Sequence, residues 1–495
     1  MTETTLAKSK IVLTMNTLAF TVCFAVWMMN GVLITFLVDN RLFTFDKVQM
    51  GWLLGIPVLT GSLVRLPVGL ATDRWGGRII FPIVMLSAAV GAIMVSFSNS
   101  YLSFLVASLI FGLAGTGFAV GIAYTSVWFP KIQQGTALGI FGVGNAGAAV
   151  TSLGGPWLLS QLTDNGTNLD GWRKFPLIYA AALITMSVVF YFFTQNRTPE
   201  NTRAKTLAQQ LSPLGSIRVW RFGLYYFLVF GAFVALSQWL IPYYLNVYAV
   251  SLAIAGLLAS VFSMPSGIIR ALGGWLSDRF GARSVMYWVL GICTLGCLML
   301  SIPRMEITSP GEGVMSLSKG KVTAVSTTEI VVEDKIYPLK SNNNGVDSKE
   351  SFLFLPRVAF WHVPVVAVGE EVTKKQLLAR GTSHIYFQAN IWIFTALVFM
   401  VGIAMGIGKA AVYKYIPEYF PNDVGVVGGI VGVIGGLGGF FCPIWFGYLL
   451  RATGLWSTTW MVLFGVSLIS IAWMHLVIQR MQKEQAPELS QKFER

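Results

Sequence analysis

Arg65 and Arg270 are the most informative residues of this chain, because each lies within a long apolar stretch. An arginine at the centre of a membrane helix costs about 2.5–3.5 kcal/mol on the insertion scale and cannot escape by losing its proton. The apolar stretches contain no Asp or Glu to neutralise these two charges. Two converging guanidiniums without a counter-ion favour an anionic substrate. The alternative is a structural role, in which the side chains bind backbone carbonyls or reach the membrane surface.

The composition places these stretches in a lipid bilayer. The 495 residues are 55% hydrophobic and only 12% charged, with a mean hydropathy of +0.66. Soluble domains carry about 25% charged residues, so an array of soluble domains is excluded, and so is a disordered chain. The net charge of +13 is then a bias of the loops and gives no reason to expect a nucleic-acid partner.

Twelve apolar runs are long enough to cross a bilayer as helices, which needs about 20 residues. In chain order, as helices 1 to 12, they are residues 11–37, 48–71, 79–98, 101–128, 136–161, 175–194, 219–246, 252–275, 284–303, 386–416, 424–450 and 456–478. The predicted fold is an all-α membrane protein with two six-helix halves and a small β-rich extracytoplasmic insert.

The polar segments between these runs define the predicted domains. They are an N-terminal bundle (1–194), a cytoplasmic linker (195–218), helices 7–9 (219–303), the insert (304–385), helices 10–12 (386–478) and a cytoplasmic tail (479–495). Lysines and arginines concentrate in alternate loops, which predicts an inner-membrane protein with both termini in the cytoplasm. In the insert, residues 321–326 and 329–337 are predicted strands, 342–345 a turn, and 363–379 a strand, turn and strand.

The two halves repeat one another in sequence. Six residues recur at a fixed offset of 205: Arg65 and Arg270, Gly69 and Gly274, Asp73 and Asp278, Arg74 and Arg279, Gly76 and Gly281, and Arg78 and Arg283. Further matches follow at offsets of 290 and 291, and the increase corresponds to the insert. The pattern predicts a parallel duplication of six helices, the architecture of major facilitator transporters.

The repeated Asp-Arg loops resemble the major facilitator signature after helices 2 and 8. We expect the carboxylates to pair with arginines across a glycine turn and to hold the helices together in one state of the transport cycle. The gating residues predicted on this basis are Asp73, Arg74, Arg78, Asp278, Arg279 and Arg283. The alternative is that these loops only anchor the topology.

Helices 5 and 11 are rich in glycine. Small residues at this spacing allow close helix packing, and their density also permits a narrow cavity for a small ligand. The glycines singled out are Gly142, Gly144, Gly432 and Gly435. Asn145 is a polar side chain in the same run and can donate to a small oxyanion. Helix packing alone is the alternative for most of these glycines.

These motifs together resemble the nitrate/nitrite porter family, and the opening residues are most like its nitrate/proton symporter branch. By this resemblance, Arg65 and Arg270 match the paired substrate-binding arginines, and the glycine runs match the two signature motifs. The resemblance also implies that Tyr226 and Phe230 line the planar faces of the anion, although core aromatics are an equal alternative. The insert departs from a minimal porter, so its role is not implied.

The resemblance implies nitrate and nitrite transport by alternating access. A membrane potential of 100 mV opposes uptake of one anion by about 2.3 kcal/mol, so import needs a coupling cation or a counter-anion. Lys409 is the candidate for proton coupling. The alternatives are that its side chain reaches the cytoplasmic surface of the membrane or only adds to the positive field of the site. A nitrate/nitrite antiporter, a formate or oxalate exchanger and an anion sensor remain open alternatives.

Catalysis and metal binding have no support in the sequence. Cys23, Cys293, Cys297 and Cys442 all lie in apolar runs, and the three histidines are scattered, so neither a metal site nor a cofactor is expected. No nucleophile, base and orienting group occur together, which argues against an enzyme. The expected partners are nitrate, nitrite, protons and membrane lipid, and the expected state is a monomer.

Overall fold

The computed structural model describes residues 3–198, 212–302, 305–341, 357–387, 390–420 and 424–485. Twelve helical spans, here α1–α12, cross the membrane region of the described chain, counting one bent pair as a single span. Their segments are α1 (Glu3–Trp27, Met29–Asp39), α2 (Lys47–Leu63, Arg65–Trp75), α3 (Gly77–Ser96), α4 (Tyr101–Phe111, Gly112–Thr116, Gly117–Trp128), α5 (Lys131–Gly142, Val143–Ala146, Gly147–Leu162), α6 (Lys174–Phe193), α7 (Ile217–Tyr226, Phe227–Ala232, Phe233–Tyr248), α8 (Leu252–Ile268, Arg270–Phe280), α9 (Ala282–Leu300), α10 (Ile391–Tyr419), α11 (Val424–Thr453) and α12 (Thr458–Gln485).

The predicted twelve-helix fold is confirmed, with small changes at the ends. Helix 10 begins at Ile391 and not at 386, because the last strand of the insert continues to Phe387. An even number of spans brings the start of α1 and the end of α12 to one face, which we call the terminal face. The Asp-Arg loops after α2 and α8 lie there, and the other side is the distal face.

The insert forms a separate compact unit, Ile302–Phe394, and the rest of the chain forms the other. Its strands are β1 (Met305–Met315), β2 (Gly320–Val325), β3 (Glu329–Val332), β4 (Lys335–Pro338), β5 (Arg357–Pro364), β6 (Glu371–Val372) and β7 (Leu377–Phe387). They pair antiparallel in two sheets with the orders β1-β7-β5 and β4-β3-β2-β6. The β-rich character predicted for the insert is confirmed.

One strand prediction in the insert is wrong in detail. Residues 329–337 form a hairpin and not one strand, because Glu333 takes a positive φ of 53° and turns the chain between β3 and β4. The hairpin buries Ile330 and Val332 in the core of the insert. The predicted turn at 342–345 lies outside the described residues, as does most of the linker 195–218.

Several spans are irregular near their middle. α4 contains a 3₁₀ turn at Gly112–Thr116, α5 one at Val143–Ala146, and α7 a π-helical turn at Phe227–Ala232. Such turns often mark functional sites within helices. Non-helical backbone at membrane depth is tolerated only where protein or a cavity surrounds it.

Candidate substrate site

α2 and α8 break at the same point of the repeat, and each arginine begins the segment after the break. Arg65 is the first residue of the second segment of α2, and Arg270 is the first of the second segment of α8, where the axis bends by 46°. Proline has no N–H to donate to the carbonyl four residues back. Pro67 withholds that bond from Leu63, the last residue of the first α2 segment. Pro265 lies one turn before the α8 bend, but the bond that it lacks is farther back in the segment, so it does not by itself account for the bend.

Arg65 is almost fully buried, with 4% of its surface exposed. Its Nη1 donates to the carbonyl of Gly432 in α11 at 3.0 Å, and its Nε donates to the carbonyl of Gly115 in α4 at 3.4 Å. One side chain therefore bridges the two halves of the protein. Its buried Nη2 has no hydrogen-bond partner among the described residues. Binding to backbone carbonyls, the structural alternative for this arginine, thus uses Nε and Nη1 and leaves Nη2 without a partner among the described residues.

Arg270 is held differently. It is half-buried, and its buried Nη1 also has no hydrogen-bond partner among the described residues. Its guanidinium lies over the rings of Phe118 and Tyr413, at 5.4 and 5.8 Å from their centroids. Neither Arg270 nor Arg65 makes an ion pair within the part of the chain that the structure describes. The site therefore carries two unneutralised positive charges.

The two arginines share one aromatic ring. Arg65 lies 5.2 Å from the centroid of Phe118, the ring that Arg270 also contacts, and 5.3 Å from the centroid of Phe230. Phe230 stacks on Tyr226 at 5.0 Å with an angle of 11° between the planes, and on Phe118 at 6.0 Å with 23°. The π-helical turn of α7 places Phe230 in this stack. The structure thus brings Tyr226 and Phe230 together with both arginines.

The glycines have different surroundings. Gly142 lies against Arg270, because a methyl group added there would be 3.1 Å from the arginine Cδ. Gly432 supplies the carbonyl for Arg65, and Gly435 gives room to the ring of Tyr226. Gly144 instead packs on Phe20 of α1 and does not face the arginines.

Asn145 lies in the 3₁₀ turn of α5 and is fully buried. Its Nδ2 donates to the carbonyl of Gly142 at 2.8 Å, so one of its two amide hydrogens is used within the turn. Its Oδ1 has no partner among the described residues. The reverse amide orientation would set two oxygens against each other, which favours the arrangement seen. Only the second amide hydrogen of Asn145 can therefore donate to an anion.

Lys409 in α10 is fully buried, so the alternative in which it reaches the membrane surface is wrong. Its Nζ lies 3.2 Å from the hydroxyl and 3.4 Å from the carbonyl oxygen of Ser266, and 3.0 Å from the centroid of Phe233. Ser266 lies on α8 four residues before Arg270, so Lys409 contacts the segment that leads into the α8 bend.

A sequence model of the Major Facilitator Superfamily matches residues 16–312 and 377–494. The probable nitrate/nitrite antiporter NarK1 of Thermus thermophilus is 39% identical over 487 residues, which cover 98% of this chain and 95% of that protein. The chain belongs to the nitrate/nitrite porter family of the Major Facilitator Superfamily. It is therefore a multi-pass membrane transporter and not an enzyme, as the sequence predicts.

More distant relatives agree with this membership. The nitrite extrusion protein of Bacillus subtilis is 24% identical over 472 residues, covering 94% of this porter and 95% of the relative. The structure of a bacterial homolog of the human lysosomal transporter Spinster has a TM-score of 0.61 at 16% identity, covering 95% and 97% of the two chains. The nucleoside transporter NupG gives 0.59 at 11% identity, covering 94% and 99%. These two structures support the fold alone.

The Asp-Arg loops of the porter do not pair as the sequence suggests. Asp278 forms its ion pair with Lys414 of α10, and Asp73 has no ion pair among the described residues. The arginines stack on aromatic rings instead: Arg74 on Trp75, Arg78 on Tyr191, and Arg279 on Trp275 and Phe280. Arg78 also donates from Nε to the carbonyl of Tyr191 at 3.0 Å, while Arg283 lies exposed at the start of α9.

These contacts belong to a single conformation, so the gating role of the loops in another state of the cycle stays a prediction. Gly76 and Gly281 take φ values of 85° and 81°, which sharply turn the chain between α2 and α3 and between α8 and α9. The turn directs the arginines toward the ring-rich surface, where each guanidinium can lie flat on an aromatic face. The carboxylate of Asp278 then finds its partner on a third helix.

The two halves of the porter pack closely on the distal side of the arginines. A methyl group added at Gly55 in α2 would lie 2.6 Å from the carbonyl oxygen of Phe440 in α11, and one at Gly31 in α1 would lie 2.9 Å from the Cα of Gln238 in α7. Gln238 also donates from Nε2 to the carbonyl of Leu54 at 3.2 Å. These contacts close the distal side.

The terminal side of the arginines is more open. Gly69, Gly139 and Gly274 lie about one turn from the site toward the terminal face, in α2, α5 and α8. A methyl group added at any of them would meet no atom within 4 Å. These three positions are less crowded than Gly55 and Gly31, where α2 packs on α11 and α1 on α7.

Three aromatic residues that contact the arginines are not among the site residues predicted from the sequence. Phe118 contacts both guanidiniums, Tyr413 contacts Arg270 and donates to the carbonyl of Gly428 at 3.1 Å, and Trp27 lies 5.6 Å from the guanidinium of Arg65. The repeat contained a signal for Phe118, since it is the counterpart of Lys409 at the offset of 291. Tyr413 and Trp27 had no such signal, because aromatic residues are common throughout the spans.

Proposed function

We propose that this porter moves nitrate and nitrite across the membrane by alternating access around Arg65 and Arg270. The observation that carries the proposal is a pair of buried guanidinium nitrogens, one on each arginine, that lack hydrogen-bond partners in a region without a neutralising carboxylate. Such donors are costly when empty and are satisfied by an oxyanion.

Nitrate suits this site in charge, size and shape. It is monovalent and planar, with three acceptor oxygens that can take paired donors from two guanidiniums. A unit charge 4 Å away gains about 4 kcal/mol at an effective dielectric constant of 20, which is comparable to the insertion cost of one arginine. The stacked rings of Phe118, Phe230 and Tyr226 offer flat walls to a flat ion.

The names of the relatives support the same substrates. NarK1 of Thermus thermophilus is named a probable nitrate/nitrite antiporter, and the Bacillus subtilis relative is named a nitrite extrusion protein. Oxalate is larger than nitrate and carries two negative charges, so the glycine-lined space beside Arg270 favours nitrate over oxalate. Formate is no larger than nitrate but offers two acceptor oxygens in place of three, so it satisfies fewer of the guanidinium donors.

For coupling, we propose nitrate uptake with protons, in which Lys409 is the titrating group. Its burial beside Ser266 and its closeness to Arg270 make its charge sensitive to an anion in the site. Exchange of nitrate for nitrite is a second candidate, favoured by the name of the Thermus thermophilus relative. A bound anion screens the positive charges of Arg65 and Arg270 from each other. The loaded protein should therefore change between its inward-facing and outward-facing states more easily than the empty protein.

We further propose that the porter resides in the cell inner membrane as a monomer surrounded by lipid, with both termini in the cytoplasm. The positively charged loops of the terminal face support this orientation. The terminal face then lies on the cytoplasmic side. In this orientation, Asp278 and Lys414, together with the stacked arginines, belong to the cytoplasmic gate.

Counterflow of labelled nitrate into proteoliposomes tests the proposal. Arg270→Lys keeps the charge but removes the paired donors, so we expect transport to fall at least about tenfold. Arg480→Lys, at an exposed arginine of α12, is the matched control and should transport normally. Unchanged transport by Arg270→Lys would contradict the paired-donor site, and stronger competition by formate or oxalate than by nitrite would contradict the substrate.

The same vesicles separate the two coupling modes. We expect a proton gradient, acidic outside, to drive nitrate accumulation without internal nitrite. Uptake that ignores the proton gradient and requires internal nitrite would replace symport by exchange.

A further inference from the structure

A second cationic pocket lies at the terminal end of the C-terminal half, between α7, α9, α10 and α12. It is partly open to the surface, and its enclosed part is narrow. Its lining consists of two arginines, an aromatic group and an aliphatic group: Arg221 and Arg283; Phe222, Tyr225, Tyr415 and Tyr419; and Met474, Val477, Ile478 and Met481. None of the residues proposed to bind nitrate lines it.

Arg221 is the buried charged residue of this pocket. It is only 8% exposed, and its Nε has no hydrogen-bond partner among the described residues. The hydroxyl of Tyr225, one turn along α7, is also buried without a partner. Because no carboxylate lines the pocket, two unpartnered donors and the second cation, Arg283, remain available to an anion.

The walls of the pocket are apolar. Phe222 stacks on Tyr415 with ring centroids 5.2 Å apart and planes 12° apart, and Tyr419 lies 5.6 Å from Phe222. The four α12 side chains add an aliphatic strip that extends from the pocket along a lipid-facing helix. A small free anion would gain nothing from this strip. An anion that carries a hydrocarbon chain would bury it there.

We propose that this pocket binds the phosphate group of an anionic phospholipid, with an acyl chain lying along α12. Arg221 and Tyr225 donate to the phosphate oxygens, and Arg283 adds positive charge at the mouth. Arginine forks match phosphate geometry, and basic pockets between membrane helices suit anionic head groups. The inference is independent of nitrate transport, since it uses none of the residues of that site.

Thermal unfolding of the detergent-purified full chain tests this proposal. Phosphatidylglycerol, phosphatidylcholine and inorganic phosphate are titrated separately, and the unfolding temperature is followed by tryptophan fluorescence. We expect phosphatidylglycerol alone to raise that temperature, because it supplies both the phosphate charge and the chain. Arg221→Gln should weaken its apparent affinity at least about tenfold, and Tyr225→Phe should weaken it less.

Controls make the result specific. Arg197→Gln removes one exposed arginine from the same face and should leave the phosphatidylglycerol response unchanged. If Arg221→Gln does not fold, Tyr225→Phe and Arg283→Gln decide, and each should lower the affinity. An equal response to inorganic phosphate would make this a free-anion site, and an equal response to phosphatidylcholine would make it an unspecific lipid contact. Either result, or full affinity in the folded variants, overturns the proposal.

Discussion

Arg65 and Arg270 occupy equivalent positions in the two sequence repeats, but the structure holds them in different ways. Arg65 is buried, donates to carbonyls of both halves and lies near three aromatic rings. Arg270 is half-buried and, within the described chain, contacts two aromatic rings and the backbone at Gly142. The same residue type at the same helix break therefore gives one anchored and one less constrained guanidinium. We infer that Arg65 fixes the site and that Arg270 responds to the anion.

The counterparts Phe118 and Lys409 extend this difference between the halves. Phe118 places its ring against both guanidiniums, whereas Lys409 adds a charge behind Arg270 and contacts Phe233 and Ser266. At these equivalent positions the N-terminal half thus carries an aromatic ring that both arginines share, and the C-terminal half carries a basic side chain. We infer that an anion gains more free energy by approaching Arg270, because Arg65 already donates two hydrogen bonds to backbone carbonyls.

The largest expected effect comes from Arg65→Gln. It should abolish nitrate binding and also destabilise the empty protein, because hydrogen bonds from a charged donor contribute about 1.5–3 kcal/mol and two carbonyls lose theirs. Thermal unfolding with and without nitrate measures both consequences. Arg480→Gln is the control for loss of one positive charge. A stable Arg65→Gln protein that still responds to nitrate would remove the anchor role.

Arg270→Gln should separate the loss of nitrate binding from the loss of stability of the empty protein. No hydrogen bond of the described structure is lost, and one poorly solvated charge is removed, so the empty protein should be as stable as the wild type or more stable. Nitrate should no longer raise its unfolding temperature. Destabilisation equal to that of Arg65→Gln would show that the two arginines stabilise the protein equally and would contradict the distinction between an anchored Arg65 and a less constrained Arg270.

Lys409→Gln tests whether the extra charge of the C-terminal half couples transport to protons. We expect proton-driven accumulation of nitrate to disappear, while counterflow at equal pH continues within a few-fold of the wild type. Lys174→Gln, at an exposed lysine at the start of α6, is the matched control. Intact proton-driven uptake by Lys409→Gln would exclude this lysine as the coupling residue.

The features that the sequence could predict are those that follow from one span or from the repeat. Arg65 is surrounded by apolar residues along the chain, so its depth was evident, and the offset of 205 identified Arg270 as its counterpart. The sharing of Phe118 by both arginines depends on how α2, α4 and α8 cross, and no local pattern encodes that. The carbonyl bond from Arg65 to Gly432 likewise joins residues from different halves.

The irregular turns show the same limit. The glycines of α5 predict close packing and a narrow cavity, but the 3₁₀ turn that uses one amide hydrogen of Asn145 depends on local hydrogen bonding. The π-helical turn of α7 contains Gly231, but a single glycine in an apolar run does not predict where a π turn forms. The pairing of Asp278 with Lys414 was missed because the partner is on another span.

The smallest expected effect concerns the contrast between the packed distal side and the open terminal side. Gly55→Ala places a methyl group against the carbonyl of Phe440, and overpacking of this kind costs about 1–3 kcal/mol in the closed distal arrangement. The conformation that is open on the distal side does not make this contact, so the equilibrium should shift toward it by about fivefold to a hundredfold. Ser62→Cys, next to Arg65, reports this shift through its labelling by a membrane-impermeant maleimide added from that side. Gly154→Ala adds the same methyl group where no atom lies within 4 Å, and should leave labelling unchanged. Equal labelling of the two variants would mean that the contact of α2 with α11 does not control distal access, and that the close glycine packing there serves assembly of the halves instead.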